Sequence, residues 1–193
     1  MGFWAKDYFG NIGIVTSNHG ALRYNMEAYA SAAEGGSTAS AYFGKVSNVW
    51  YGGSVDASFV QRMDDRFGII NYVSGWDFYL KSETMNMREG QEIFKKGIVT
   101  GVTRGKVIEL GFDPSSIDNT NSNLTSTILT DCYALEGDSG GIVAGGGSTS
   151  SRYVAGIVHG GLRKESSTGV VEGPYMIYSQ ASDILNWLQV TLI

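Results

Sequence analysis

Leu135-Glu136-Gly137-Asp138-Ser139-Gly140-Gly141-Ile142 decides how the rest of this sequence is read. A serine lies among glycines, with an acid directly before it and apolar segments on both sides. Glycine adopts backbone conformations closed to other residues, so such a loop can aim its amide N–H groups at one point. Two converging N–H donors beside a hydroxyl are what acyl transfer requires: a nucleophile and a pocket for the developing oxyanion. A polar, glycine-rich hairpin carries the same letters, so the stretch needs support from elsewhere in the chain.

The segments around it are short, apolar and bounded by turn residues. Ile128-Leu129 begins a strand leading in, and Ile142-Val143-Ala144 leads out. Tyr153 to Val158 reads as a strand running into His159-Gly160-Gly161. This texture extends over the chain, which has 193 residues, 27 glycines and only 2 prolines. With 42% hydrophobic residues it can bury a core as one domain or two small lobes, and the turn density favours β architecture over helical bundles. A formal net charge of −5, with no Lys/Arg cluster beyond two adjacent residues, argues against a nucleic-acid partner. The single Cys132 allows no internal disulfide, and with only His19 and His159 a His/Cys zinc site is poorly supplied. No metal or cofactor is expected. No apolar run is long enough to span a bilayer, and no secretory leader is visible, so the sequence is read as a mature or trimmed product.

From the N-terminus, strands are expected at Phe3-Trp4-Ala5 and Ile12 to Val15. Tyr24 to Ala30 alternates as a strand would, although its alanines equally suit a helix. Ala41 to Tyr51, Val55 to Met63 and Phe67 to Val73 follow as strands, and Ile93 to Leu110 as a hairpin pair. The polar stretch Lys81 to Gly90 is the expected link between two halves, 1–85 and 86–193. Asp113 to Ser126 reads as a polar loop. Ala181, Ile184, Leu185 and Leu188 recur at helical spacing, with Ser179 placed to cap that helix.

His19 follows the apolar run Ile12 to Val15, and Asp56 opens the run ending at Val60. With Ser139 they stand in the chain order His, Asp, Ser, one of the orders in which triad hydrolases arrange base, orienting carboxylate and nucleophile. Here the sequence resembles the chymotrypsin-like serine proteases, in particular the bacterial branch of α-lytic protease and the streptogrisins. Gly13 to Gly20 is similar to that branch's strand into its histidine, and Lys96 to Val107 to its Ser-Gly-x-Thr-Thr-Gly hairpin. Gly137 to Gly141 matches its nucleophile loop, Gly156 to Gly161 resembles its substrate-binding strand, and Tyr175 to Leu192 its closing strand and helix.

The resemblance implies two antiparallel Greek-key β-barrels with a short C-terminal helix, and peptide hydrolysis through an acyl-enzyme in the cleft between them. It implies His19, Asp56 and Ser139 as the triad, the Gly137 and Ser139 N–H groups as the oxyanion hole, and Gly160-Gly161 as the edge that pairs with a peptide or protein substrate. It also implies secretion or a cell-surface location, the habit of the resembled proteases. An inactive peptide-binding barrel of the same fold, or an esterase using the same site, are the alternative readings. The departures are specific. Asn18 and Gly20 flank His19 where the family has Gly and Cys, the family's disulfides are absent, and its first strand, which would lie ahead of Gly2, is not seen. Lys95 stands where the branch has an arginine, which implies a Lys95–Asp138 ion pair. His159 stands where the family commonly places a serine that hydrogen-bonds the aspartate, one position later than the histidine of glutamate-specific relatives. Counting back from Ser139 brings Asp131 to the pocket floor, implying cleavage after Arg or Lys, although an outward-turned strand-end aspartate fits as well.

Overall fold

The computed structural model describes residues 2–19, 23–31, 40–116, 123–165 and 171–193. Strands β1 (Phe3–Asp7), β2 (Ile12–Thr16), β3 (Glu27–Ser31), β4 (Ser40–Gly52) and β5 (Val55–Arg62) form a first sheet. The C-terminal β13 (Val190–Leu192) joins it, giving the antiparallel order β13-β1-β2-β5-β4-β3. The second sheet contains β6 (Tyr79–Thr84), β7 (Glu92–Gly97), β8 (Gly101–Phe112), β9 (Thr127–Thr130), β10 (Ile142–Gly145), β11 (Ser151–Glu165) and β12 (Val171–Gln180). Its order is β10-β7-β8-β9-β12-β11-β6, and β10 also pairs with β11, so six of these strands close into a barrel. Helix α1 (Ala181–Leu188) lies between β12 and β13. One closed barrel, a second antiparallel sheet and a C-terminal helix match the expected trypsin-like fold.

Alternation explains where the strands put their side chains. In β7, Ile93, Lys95 and Gly97 face inward while Glu92, Phe94 and Lys96 do not, the period-two pattern of a strand with one buried face. β9 and β10 are buried at every position, so their apolar runs are continuous rather than alternating. One hydrophobic cluster spans both sheets and the helix: Phe3, Val15, Val55 and Phe59 meet Ile142, Val154, Ile157, Ile184 and Leu188. A second, around Ile93, Val107, Val143 and Tyr178, fills the closed barrel. Trp187 stacks on Trp50 at 4.1 Å, and Asn48 Nδ2 donates to the Leu188 carbonyl at 2.9 Å, which pins the helix end to β4.

Three local expectations are corrected. Phe67 to Val73 forms no strand; only Tyr72 makes a single bridge, to Tyr79. Ile70 and Val73, with Phe3, Trp4, Phe43 and Val60, line a cavity of roughly 650 Å³. The link expected at Lys81 to Gly90 begins inside β6, which pairs parallel with β11 where β12 leaves that edge unoccupied. A boundary at residue 85 therefore falls just after a strand of the second sheet. Ser179 is the penultimate residue of β12 and does not cap α1; the N-cap is Gln180, with no side-chain cap bond. The middle of the Asp113 to Ser126 loop lies outside the described residues.

Candidate active site

The antiparallel pairing of β2 with β5, in register Thr16↔Ser58, brings the end of one strand to the start of the other. Asp56, the second residue of β5, thus meets the segment leaving β2. Its side chain is fully buried. Oδ1 accepts the Asn18 and His19 backbone N–H groups, each at 2.8 Å, and Oδ2 lies 2.5 Å from His19 Nδ1. Ser58 Oγ donates to Asn18 Oδ1 at 2.8 Å, steadying the turn that carries the histidine. From behind, Ser179 Oγ accepts the Asp56 N–H at 3.0 Å, so β12 of the second sheet fixes a residue of the first.

These contacts set the electrostatics. Burial alone would push the Asp56 carboxyl up, but hydrogen bonds from His159 and His19 hold it down at about 2. The Asp56 hydrogen bond in turn raises the His19 imidazole above its usual 6.5, against burial, which lowers it. An imidazole raised by a buried carboxylate is a stronger base, and its imidazolium is better tolerated.

Ser139 lies in the turn between β9 and β10. Gly137 (φ +93°) and Gly140 (φ +77°) supply the left-handed backbone that the turn demands. Gly140 N–H donates to the Val158 carbonyl at 2.9 Å and Val158 N–H to the Gly141 carbonyl at 2.8 Å, so β11 clamps the turn. Among the described residues, the Gly137 and Ser139 N–H groups donate to no protein acceptor. Ser139 Oγ donates to the His159 carbonyl at 2.7 Å, and not to His19. Beneath the turn, Asp138 and Lys95 are both fully buried, with Nζ 3.0 Å from Oδ2. Oδ1 accepts the Val99 and Thr100 N–H groups at 2.9 and 3.0 Å, and Oδ2 the Thr100 hydroxyl at 2.5 Å. Burial works against the charge on Asp138, but the Thr100 and Lys95 hydrogen bonds prevail and hold its carboxyl at about 2.

His159 sits on β11 at a β-bulge. Val158 pairs with Tyr178 and Gly160 with Ile177, so His159 is the extra residue. A bulge redirects the side chain it inserts. Here the ring turns toward the first sheet, with Nδ1 2.7 Å from Asp56 Oδ2 and its centroid 4.6 Å from that of His19. Gly160 faces open space, whereas a Cβ at Gly161 would collide with the Ala134 carbonyl. The chain at 134 and β11 therefore face each other closely beside the serine turn. Asp131 is not part of this group. It is exposed, and Oδ1 accepts the Lys106 N–H of β8 at 2.5 Å. This is the outward-turned strand-end arrangement, one of its two expected readings: the carboxylate is satisfied by a neighbouring strand's amide.

Among the described residues, one group of His, Cys, Asp or Glu brings ligand-type atoms within 4.8 Å of each other: His19, Asp56 and His159. It is the hydrogen-bonded cluster described above, with both Nδ1 atoms engaged by the carboxylate. His159 meets Asp56 at the position where the resemblance implies a group that hydrogen-bonds the aspartate; the site's unanticipated member is Ser179. It lies 123 residues from Asp56 in sequence, and no local pattern announces such a contact.

The fold is that of solved chymotrypsin-like serine proteases. A Nocardiopsis protease matches with a TM-score of 0.68 and 21% identity, over 99% of this chain and 90% of that one. Thermobifida fusca protease A matches at 0.71 and 17%, over 100% and 90%. A glutamic acid-specific serine protease, described as using a histidine triad in substrate binding, matches at 0.68 and 21%, over 98% and 91%. No protein-family model matches the chain, and no curated protein matches it in sequence.

Proposed function

We propose that the chain is a serine endopeptidase working through an acyl-enzyme. The observation that carries this reading is the His19–Asp56 hydrogen bond converging on a serine turn whose Gly137 and Ser139 N–H groups remain available. Turnover requires Ser139 Oγ to leave the His159 carbonyl and turn to His19 Nε2; catalytic hydrogen bonds often tighten only when substrate is bound. His19 then takes the hydroxyl proton as Oγ bonds to the scissile carbonyl carbon. The carbonyl oxygen becomes an oxyanion between the two amides, and Asp56 stabilises the imidazolium. His19 passes the proton to the leaving amine as the C–N bond breaks. Water, deprotonated by the same imidazole, releases the acyl group as a free carboxylic acid and restores the serine.

The substrate is a peptide or protein segment laid along Gly160 and Gly161. Beyond Ile157, β10 no longer pairs with β11, and an extended peptide can take its place as an added strand. Asp131 gives no support to cleavage after Arg or Lys, because its carboxylate caps Lys106. A peptide-binding barrel without turnover is the second reading, favoured by the Ser139–His159 carbonyl bond. Mass spectrometry of a peptide library treated with the protein and with Ser139→Ala separates the two. New termini that depend on Ser139 support the peptidase, and an untouched library supports the binding module. The residues flanking those termini give the preference directly.

A further inference from the structure

Asp56 carries an imidazole more than an orienting carboxylate requires. His19 Nδ1 and His159 Nδ1 both address Oδ2, at 2.5 and 2.7 Å. An ionised carboxylate only accepts, so both Nδ1 atoms carry hydrogen. The neutral form of His159 therefore keeps its lone pair on Nε2, and that atom is where the ring takes up a further proton. The bulge at Val158/Gly160 puts the ring there, and its backbone carbonyl accepts from Ser139 Oγ. One residue thus touches both the carboxylate and the serine.

We propose that His159 is a positioning residue and a proton sensor of this site: its Nδ1–H holds Asp56, and protonation at its Nε2 stops turnover. The proposal rests on the serine-protease reading above. The titratable groups facing the ring are Asp56 from β5, His19 from the segment after β2, and Tyr51 from β4, whose ring lies 6.4 Å away. Asp56 is the one anion among them. Turnover needs His19 to become an imidazolium, and a second cation 4.6 Å away opposes this. At an effective dielectric of about 20, two unit charges at that separation disfavour the doubly charged state roughly several hundredfold. A proton on His19 removes the base, and a proton on His159 prevents the base from acting. A serine hydroxyl at this position would hold the carboxylate without titrating, so the acid sensitivity belongs to the histidine.

The test uses the intact chain and its variants His159→Asn and His159→Phe. The Asn Nδ2 stands where Nδ1 stood and does not titrate. The acid limb of wild-type kcat/KM is expected to steepen from a one-proton to a two-proton slope as pH falls, and that of His159→Asn to stay at one proton. His159→Phe should lower kcat roughly ten- to a hundredfold, the loss of one charge-assisted hydrogen bond, with KM little changed and kcat largely rescued by His159→Asn. Because the chain has two histidines, NMR follows both directly and does not depend on turnover or on His159→Phe folding. Each wild-type imidazole should titrate in two coupled steps, and His19 in His159→Asn in one. Superimposable acid limbs for wild type and His159→Asn, or two histidines that titrate independently, would overturn the inference while leaving the protease reading intact. Absence of turnover and of Ser139 labelling in the wild type at every pH would overturn the protease reading, and with it this role for His159.

Discussion

Replacing Lys95 by methionine removes an ammonium from the interior while keeping nearly the same shape. In the wild type, Lys95 and Asp138 are both fully buried and 3.0 Å apart. Breaking a buried pair by deleting one partner typically costs about 3–5 kcal/mol, because the other charge is left uncompensated. Asp138 keeps the Thr100 hydroxyl and the Val99, Thr100 and Leu135 N–H groups, so the lower end, about 3 kcal/mol, is expected. In a domain of this size that corresponds to a melting temperature lower by about 6–12 °C.

The pH dependence has a definite sign. The Asp138 carboxyl is depressed from 3.8 to about 2, so its stabilising contribution, roughly 2 kcal/mol, is present above 3.8 and is lost as pH falls through about 2. Without the ammonium the carboxyl rises, and protonation relieves the variant earlier. The gap in unfolding free energy between wild type and Lys95→Met should therefore be widest near neutral pH and narrow in acid. Urea unfolding followed by tryptophan fluorescence at several pH values measures it. A loss below about 1 kcal/mol that does not change with pH would refute the reasoning, since it would mean that the pair is solvated like a surface bridge.

Other outcomes follow from the same contacts. Ser139→Ala and His19→Ala should each remove nearly all turnover, with the double variant little worse, because the two act as one unit; additive losses measured as kcat/KM would separate them. Ser179→Ala leaves the buried Asp56 N–H without an acceptor, and chemical denaturation should show a loss of about 1–3 kcal/mol. His19 is raised above 6.5 by Asp56, so the stability from that bond is fully present below 6.5 and is lost as pH rises through the raised value. Turnover has the opposite sign, because the base must be neutral. Activity should fall as pH drops through that value, and Asp56→Asn should move the midpoint of the pH–rate profile downward.

Much of this was legible in the sequence because it is local. The alternation in Glu92–Gly97, the helical spacing from Ala181 to Leu188 and the glycines around Ser139 each restrict backbone and burial without reference to distant residues. What escaped is what depends on a distant partner. Phe67 to Val73 has the letters of a strand, but a strand also needs an edge to pair with, and Ile70 to Val73 line a cavity instead. Ser179 has the letters of a helix cap, yet its hydroxyl meets the amide of Asp56 from another sheet. Counting back from Ser139 leaves Asp131 between a pocket floor and an outward-turned strand end, and the Lys106 amide that its carboxylate accepts comes from another strand, which no count along the chain reveals. The resemblance implied the place of His159 beside Asp56, but the one-residue bulge that turns its ring there leaves no mark in composition or period.

The most direct test of the central claim is mass spectrometry of the protein after exposure to a fluorophosphonate, a reagent that captures an activated serine. One adduct per chain is expected, on Ser139 and on no other serine, forming more slowly as pH falls through the His19 value and absent in His19→Ala. An unmodified Ser139 in the wild type, or labelling of His19→Ala at the wild-type rate, would contradict it.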